Sequence, residues 1–353
     1  MGETTMKRNH IVLLFVVLLV LPTLLFASGK SRAGTSAAPE LTIPFGARYL
    51  GSGGSAIAVA TGLESVFWNP AGVDRSLNTA NALFSYRSYI ADIGVSFASV
   101  SGKFGFGTLA LSVRSFGIGE IPVTTESSPD GTGEILKPNF FVVGLTYSKL
   151  LSDRTSVGAT VNFINEEFGN VNASGVSFDL GVQYHNLVGV QGLGVGVTVK
   201  NIGPGMRYGG SGLWRQASSV DGDRGVTYYL VGAAEFDLPS VFEVGLSYQH
   251  SIADDHSLVA SIAYENSNYA LDEYRVGVDY AFRDFLHLRA GYLLLANPTG
   301  VEGVKTPNVF KNFTVGFGLN LAEVAGANID LDYAYVPGDL FHDNNLITVN
   351  IGF

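Results

Sequence analysis

Residues 274–282 read YRVGVDYAF. Tyr274, Val276, Val278, Tyr280 and Phe282 share one parity, and Arg275, Gly277, Asp279 and Ala281 share the other. Successive side chains of an extended strand leave on opposite sides, so this is a strand with one greasy face and one polar or very small face. The same rhythm runs through 312–321, 328–335 and 175–184. Such runs last about 9 to 12 residues, whereas strands of soluble sheets average about 5–6 and a tilted bilayer crossing takes about 9–11. Aromatics stand at the run ends (Tyr147, Tyr184, Tyr248, Tyr264, Tyr274, Phe282, Tyr335), where the interfacial girdles of a membrane barrel belong. The reading is an all-β chain closed into a transmembrane antiparallel β-barrel, the β architecture that leaves no unpaired edge in lipid.

Composition agrees. The 353 residues include 44 Gly, 23 Phe and 16 Tyr but only 15% charged residues, a balance that favours strands over helices. The absence of cysteine removes disulfides, thiolate nucleophiles and Cys-based metal sites. A net charge of −10 without a basic run beyond the first residues argues against nucleic acid, whose phosphates need clustered Lys and Arg. Residues 1–29 combine Lys7-Arg8, an apolar run from Ile11 to Phe26 broken by Pro22, and small residues at Ala27-Ser28-Gly29. They read as a cleaved secretory signal rather than a membrane anchor. The expected organisation is a signal peptide over 1–29, an N-terminal segment over 30–78 and a barrel over 79–353.

Fifteen runs are candidate strands: 79–88, 91–101, 104–115, 139–150, 155–165, 174–185, 193–202, 226–236, 241–250, 257–265, 273–283, 286–296, 311–321, 327–336 and 345–353. Bacterial barrels take even numbers. Alternating the ends places 116–138, 203–225 and 297–310 outside and makes 251–256 and 283–286 short inner turns. The two counts meet only if 226–236 is part of an outer excursion, which leaves fourteen strands. In 104–115 the frame slips between Phe104-Phe106 and Leu109-Leu111-Val113, which a bulge near Gly107 would explain. Ile347, Val349, Ile351 and Phe353 put a terminal aromatic on the lipid face. This ending resembles the C-terminal signal that bacterial barrel assembly machinery reads, which implies outer-membrane lipid and that machinery as partners.

Residues 41–78 do not alternate. Ala47 to Val73 is rich in Gly, Ala and Ser and ends at an aromatic pair driven into a turn, Phe67-Trp68-Asn69-Pro70-Ala71-Gly72. A fourteen-stranded lumen is too wide for wall side chains to fill. A compact plug built on Gly51, Gly53, Gly54, Trp68, Asn69, Pro70 and Gly72 suits the space. The phrase ARYLGSGGSAIAVA at 47–60 followed by WNPAG at 68–72 resembles the opening of PorV/PorQ-like outer-membrane proteins. NPAG also resembles the hatch of FadL-type hydrophobic-compound transporters. RVGVDY at 275–280, LRAGY at 288–292 and DYAY at 332–335 follow in the order of the first family, so the resemblance covers most of residues 45–353. It departs at 204–239 and at Asp279, where Glu is commoner.

Catalytic and cofactor motifs find no support. Gly51-Ser52-Gly53-Gly54-Ser55-Ala56 fits the loose GxGxxG/A pattern but lacks a βαβ unit around it. His250 and His256 flank Asp254-Asp255 at an expected inner turn and read as solvated turn residues rather than metal ligands. Arg275, Asp279, Arg289, Asp330 and Asp332 lie on the inward parity, either as a lumen network that clamps the plug or as separately hydrated wall charges. The function expected is therefore non-enzymatic, cofactor-free and located in the cell outer membrane. FadL resemblance implies passage of a hydrophobic small molecule through a hatch and a lateral wall opening. PorV/PorQ resemblance implies docking of secreted protein cargo in type IX secretion. A passive general porin, or a structural outer-membrane protein, is the alternative.

Overall fold

The computed structural model describes residues 32, 34–217, 226–295, 309–322 and 328–353. The expected signal peptide lies outside the described residues. Fourteen antiparallel strands close into one barrel. They are β1 (Ala80–Ser88), β2 (Gly94–Phe104), β3 (Gly107–Gly117), β4 (Asn139–Leu150), β5 (Thr155–Phe168), β6 (Val171–His185) and β7 (Leu193–Ile202). After a long excursion come β8 (Val241–Ala253), β9 (His256–Ser267), β10 (Glu273–Phe282), β11 (Leu286–Leu295), β12 (Phe313–Asn320), β13 (Asn328–Val336) and β14 (Asn344–Gly352). Each strand pairs with its neighbour in sequence, and β14 pairs with β1. Among the described residues no helix is long and apolar enough to cross a membrane.

Connections alternate as the parity count requires. Short turns join β2 to β3, β8 to β9 and β10 to β11 at one end, and the long connections 118–138 and 203–240 lie at the other. Residues 227–230 pair with 214–217 in a separate ribbon rather than entering the barrel, which is why the run 226–236 had to be removed from the count. The slip in 104–115 has a different cause from the expected bulge. Phe104 pairs with Gly107 across a tight turn, so Phe104 and Phe106 belong to a hairpin end and β3 starts only at Gly107. A true bulge sits elsewhere, between Phe178 and Leu180 of β6, where Asn201 of β7 takes φ 59° and donates its N–H to Asp179.

Large apolar side chains cover the outside, among them Phe163, Leu180, Ile262, Val278, Leu288 and Phe317. Contiguous exposed apolar surface on this scale suits hydrocarbon rather than water. The inward parity is polar or small, and the N-terminal segment fills the middle of the lumen. It consists of a 3-10 turn at Pro39–Thr42, helix α1 (Ala47–Gly51), a second turn at Ala56–Ala58, helix α2 (Ser65–Trp68) and a third turn at Pro70–Arg75. These pieces are a few residues long because glycine interrupts them: Gly53 and Gly54, at φ 73° and 70°, reverse the chain after α1. Asn69 stops α2 in extended conformation, and its Oδ1 accepts the Ala71 N–H to start the next turn, with Pro70 in the first position.

The β14–β1 seam runs on through the last residue. Phe353 donates its N–H to Ala80 O at 2.8 Å and accepts the Thr79 N–H at 2.8 Å, while its ring is 72% exposed. Those backbone bonds survive any side-chain change, and a charge on the lipid face near the interface costs only about 0–1 kcal/mol. A severalfold loss of inserted, heat-modifiable protein in Phe353→Asp is therefore expected only if the ring is read during assembly. Wild-type insertion would remove that role.

Candidate functional site

The plug rests on a belt of inward-facing glycines. Gly158 of β5 pairs with Gly181 of β6, Gly196 of β7 with Gly245 of β8, and Gly277 of β10 with Gly291 of β11. A Cβ on Gly158 would run into the Pro70–Ala71 backbone, one on Gly181 into the Asn69 side chain, and one on Gly196 into Ile57 and Ala58. One on Gly277 would strike Ser52 O, one on Gly291 would strike Gly53, and one on Gly316 of β12 would stand 3.0 Å from Gly51 Cα. Plug and wall thus meet backbone to backbone, closer than any other residue permits.

Polar groups fix the plug on this belt. Asn69 Nδ2 donates to Ile57 O at 2.8 Å within the plug and to Val182 O at 3.1 Å on β6. Gln183 Nε2 donates to Ala60 O at 2.9 Å, and Thr314 Oγ1 to Gly51 O at 3.2 Å. The Ala47 N–H reaches Thr348 Oγ1 at 2.9 Å, and Ser55 meets Ser261 at 2.6 Å. Asp74 closes the segment by accepting the Leu150 N–H at 2.7 Å and the Thr108 hydroxyl. Gly72 is wedged against Ala60 O, with no room for a side chain.

Trp68 is the central filler. It is 1% exposed and belongs to a buried apolar cluster with Tyr49, Leu50, Ile57 and Ala60 of the plug and Ala263, Val336 and Leu346 of the wall. Phe67 meets it edge-on at 5.0 Å, and Gly54 leaves space for the far edge of its indole. The Arg275 guanidinium lies 5.9 Å from the ring centre.

Two clusters of inward charges lie close to the plug. Near Trp68, Arg275 pairs with Glu243 and with Glu265 (2.7 Å), and Glu243 also takes Lys200 at 2.6 Å. Toward the short-turn end, Arg289 binds Asp279 at 2.8 Å and Asp332 at 2.5 Å, while His287 meets Asp279 at 3.0 Å. Asp330 belongs to neither and accepts from Asn350 at 3.0 Å. The plug's own Glu64 accepts the Arg48 and Tyr49 N–H groups at the start of α1, both at 3.3 Å. Burial, reinforced by the Asp332 carboxylate and opposed by Arg48 and Arg289, pushes Glu64 up to about 8. Buried pairs of this kind contribute more to geometry than to net stability, because desolvation offsets most of the attraction.

Two cavities flank the plug. The upper one, toward the long connections, has a volume of about 380 Å³; Leu50, Phe67, Trp68, Leu293, Phe310 and Val336 give it apolar wall, and Arg87, Lys200, Glu265, Glu273 and Arg275 also line it. The lower one, about 350 Å³, is polar and lined by Arg48, Glu64, Arg75, Asp330, Asp332 and several asparagines. Among the described residues no group of His, Cys, Asp and Glu has a metal-binding arrangement. His256 instead shares a 2.6 Å hydrogen bond with Tyr280.

Of the residues singled out from sequence, Gly51, Gly53, Gly54, Trp68, Asn69, Pro70 and Gly72 all lie in the segment that fills the lumen, and Asp279, Arg289 and Asp332 are brought together. Arg275 stands apart from those three. Lys200, Glu243, Glu265 and Gln183 were missed, as were the wall glycines. Their signal was present: Glu243 lies between the outward Phe242 and Val244 and so is necessarily inward. Only the third dimension says which inward residues meet.

No family model matches the sequence, and no curated protein matches it. Solved structures do match in fold. The Pseudomonas putida toluene transporter TodX aligns at TM-score 0.55 and 13% identity over 87% of this chain and 96% of its own. The monoaromatic hydrocarbon channel CymD aligns at TM-score 0.52 and 14% identity over 88% and 99%. A TodX variant described as a monoaromatic hydrocarbon channel aligns at 0.53 and 14% over 87% and 98%. At such identity the likeness is one of fold, and none of the three is of PorV or PorQ type.

Two outcomes are expected. Gly277→Val adds a good strand former whose Cβ meets Ser52 O, so the barrel should insert normally while residues 47–73 become open to protease. Gly117→Val, where the nearest atom stands 3.6 Å away, should leave the segment protected. Trp68→Ala should weaken plug docking by about 3–5 kcal/mol, seen as faster amide exchange in 47–73 with the barrel strands unchanged.

Proposed function

We propose that the chain is a non-enzymatic outer-membrane channel for small hydrophobic molecules, held closed by its N-terminal segment. The observation that carries this reading is the upper cavity. It is mostly apolar, stopped from below by Trp68, and its volume of about 380 Å³ falls in the range of roughly 300–1,000 Å³ usual for ligand sites. It lies inside a barrel of the same fold as channels for toluene and other monoaromatic hydrocarbons. A general porin fits less well, because the plug backbone is seated directly on the wall. Monoaromatic compounds are the substrate class to test first.

The two tryptophans make the test direct. Trp214 is exposed on the outer ribbon and Trp68 is buried beside the cavity, so Trp214→Phe leaves one reporter in place. Nitrobenzene, a monoaromatic quencher, should quench Trp68 saturably. Leu293→Asp, which puts a charge in the cavity wall, should weaken that quenching at least tenfold, or about 1.4 kcal/mol. Unsaturable quenching that Leu293→Asp leaves unchanged would overturn the channel reading. Exported proteins cross-linked to the long-connection rim would then favour the docking role.

A further inference from the structure

The part of the plug nearest the long connections holds a buried acid pair that the channel reading does not use. Residues 34–43 form the tip of the N-terminal segment. Ala37, Ala38 and Leu41 sit in an apolar trough made by Val95, Phe116, Val142, Ile164, Met206 and Leu238. The Ala37 N–H donates to Asp237 O at 2.9 Å. Between these apolar contacts the tip buries a carboxyl group: Glu40 is 3% exposed, and among the described residues neither of its oxygens has a hydrogen-bond donor from another residue. Interacting with it from β5 is Glu166, 1% exposed, whose Oε2 accepts the Tyr208 hydroxyl and whose Oε1 has no donor among the described residues. Three of the four oxygens of this pair therefore lack a partner other than the pair itself. Two carboxyls satisfy each other only when one of them carries a proton.

The surroundings do not supply enough positive charge to ionise both. Arg114 of β3 is the guanidinium that faces Glu40, and its Nη1 has no acceptor. The same guanidinium faces Asp179 of β6, which already accepts Asn162 Nδ2 at 2.8 Å and the Asn201 N–H at 2.7 Å. Lys200 of β7 is committed to Glu243 at 2.6 Å. Tyr208, on the segment that covers the trough, contributes one neutral donor. Burial first, and then the Glu166 carboxylate, push Glu40 up to about 8 against the weaker pulls of its own backbone N–H and of Arg114.

We propose that residues 34–43 are an acid-closed latch: the proton shared by Glu40 and Glu166 keeps the tip in its trough, and loss of that proton releases it. The release has a consequence for the cavity, because Leu41 and Thr42 form part of the upper cavity wall. Undocking the tip removes that wall and opens the cavity to the trough behind it. The sign follows from linkage. A free glutamate has the ordinary value of 4.5 and the docked one about 8, so docking takes up a proton between those limits. Docking is unpenalised below about pH 4.5, weakens by up to about tenfold per pH unit as pH rises through the window, and levels off above about 8.

The native chain has no cysteine, so an introduced thiol is a clean probe. In full-length protein reconstituted in liposomes, Ala37→Cys places a thiol in the trough, and Ser127→Cys places a reference thiol on an exposed connection. The ratio of their methanethiosulfonate labelling rates cancels the intrinsic pH dependence of the reagent. This ratio is expected to climb severalfold to tenfold per unit from about pH 5 to 8 and then to flatten. With Glu40→Gln, whose amide donates to Glu166 at every pH, the ratio should stay low and flat, and Glu166→Gln should flatten it too. A ratio that is flat or falling in the Ala37→Cys background, or a slope that survives in both glutamine variants, overturns the latch. No ligand enters the experiment, so its failure leaves the channel reading untouched.

Discussion

The contact on which the rest depends is the seating of the plug backbone on inward-facing glycines. A closed fourteen-stranded barrel encloses more space than its own side chains fill, and the space has to be occupied if the wall is not to surround a pore. The chain meets this by lowering the wall rather than by enlarging the filler. Paired glycines on adjacent strands let Ser52, Gly53, Ile57 and Pro70 approach at backbone distance. Asn69, Gln183 and Thr314 then satisfy the polar groups that the close approach would otherwise strand. The short helical turns of the plug follow from the same constraint, since a regular helix of ordinary length would not conform to the curved inner surface.

Seated there, the plug divides the lumen into two different solvents. Above Trp68 the walls are mainly aliphatic and aromatic; below it they carry arginines, acids and asparagines. The two ion clusters straddle this division, with Arg275 beside the indole and Arg289 under α1. In each, every carboxylate meets a basic side chain, and removing the shared arginine would leave buried acids uncompensated. Position rather than net stability is what such clusters supply, and their ion pairs tie one wall strand to another. The acid pair at the tip is the exception, since among the described residues neither Glu40 nor Glu166 has an ion-pair partner.

Much of this was legible in one dimension because a strand writes its two faces alternately into the sequence. The strand count, the removal of 226–236, the shared end of the long connections, and the short turns expected at 251–256 and 283–286 and found at 254–255 and 283–285 all follow from parity and alternation. Parity also marked Arg275, Asp279, Arg289 and Asp332 as inward. The slip at 104–115 was visible but misread: a frame change is written the same way by a bulge inside a strand and by a two-residue turn between strands. Only the pairing of Phe104 with Gly107 separates them.

By itself, then, the sequence determined the architecture: a chain whose alternation is this long and this regular has one way to satisfy every backbone group in a membrane. It also determined that residues 47–73 do not join the wall, since they lack the period. What only the tertiary structure decided is which inward residues meet across the lumen. Gly158 lies against Pro70, Glu166 against Glu40, and Glu243 between Lys200 and Arg275, at separations along the chain that no local pattern encodes. Alternation fixes the side from which a residue projects. The stagger of neighbouring strands and the path of the plug fix what it touches.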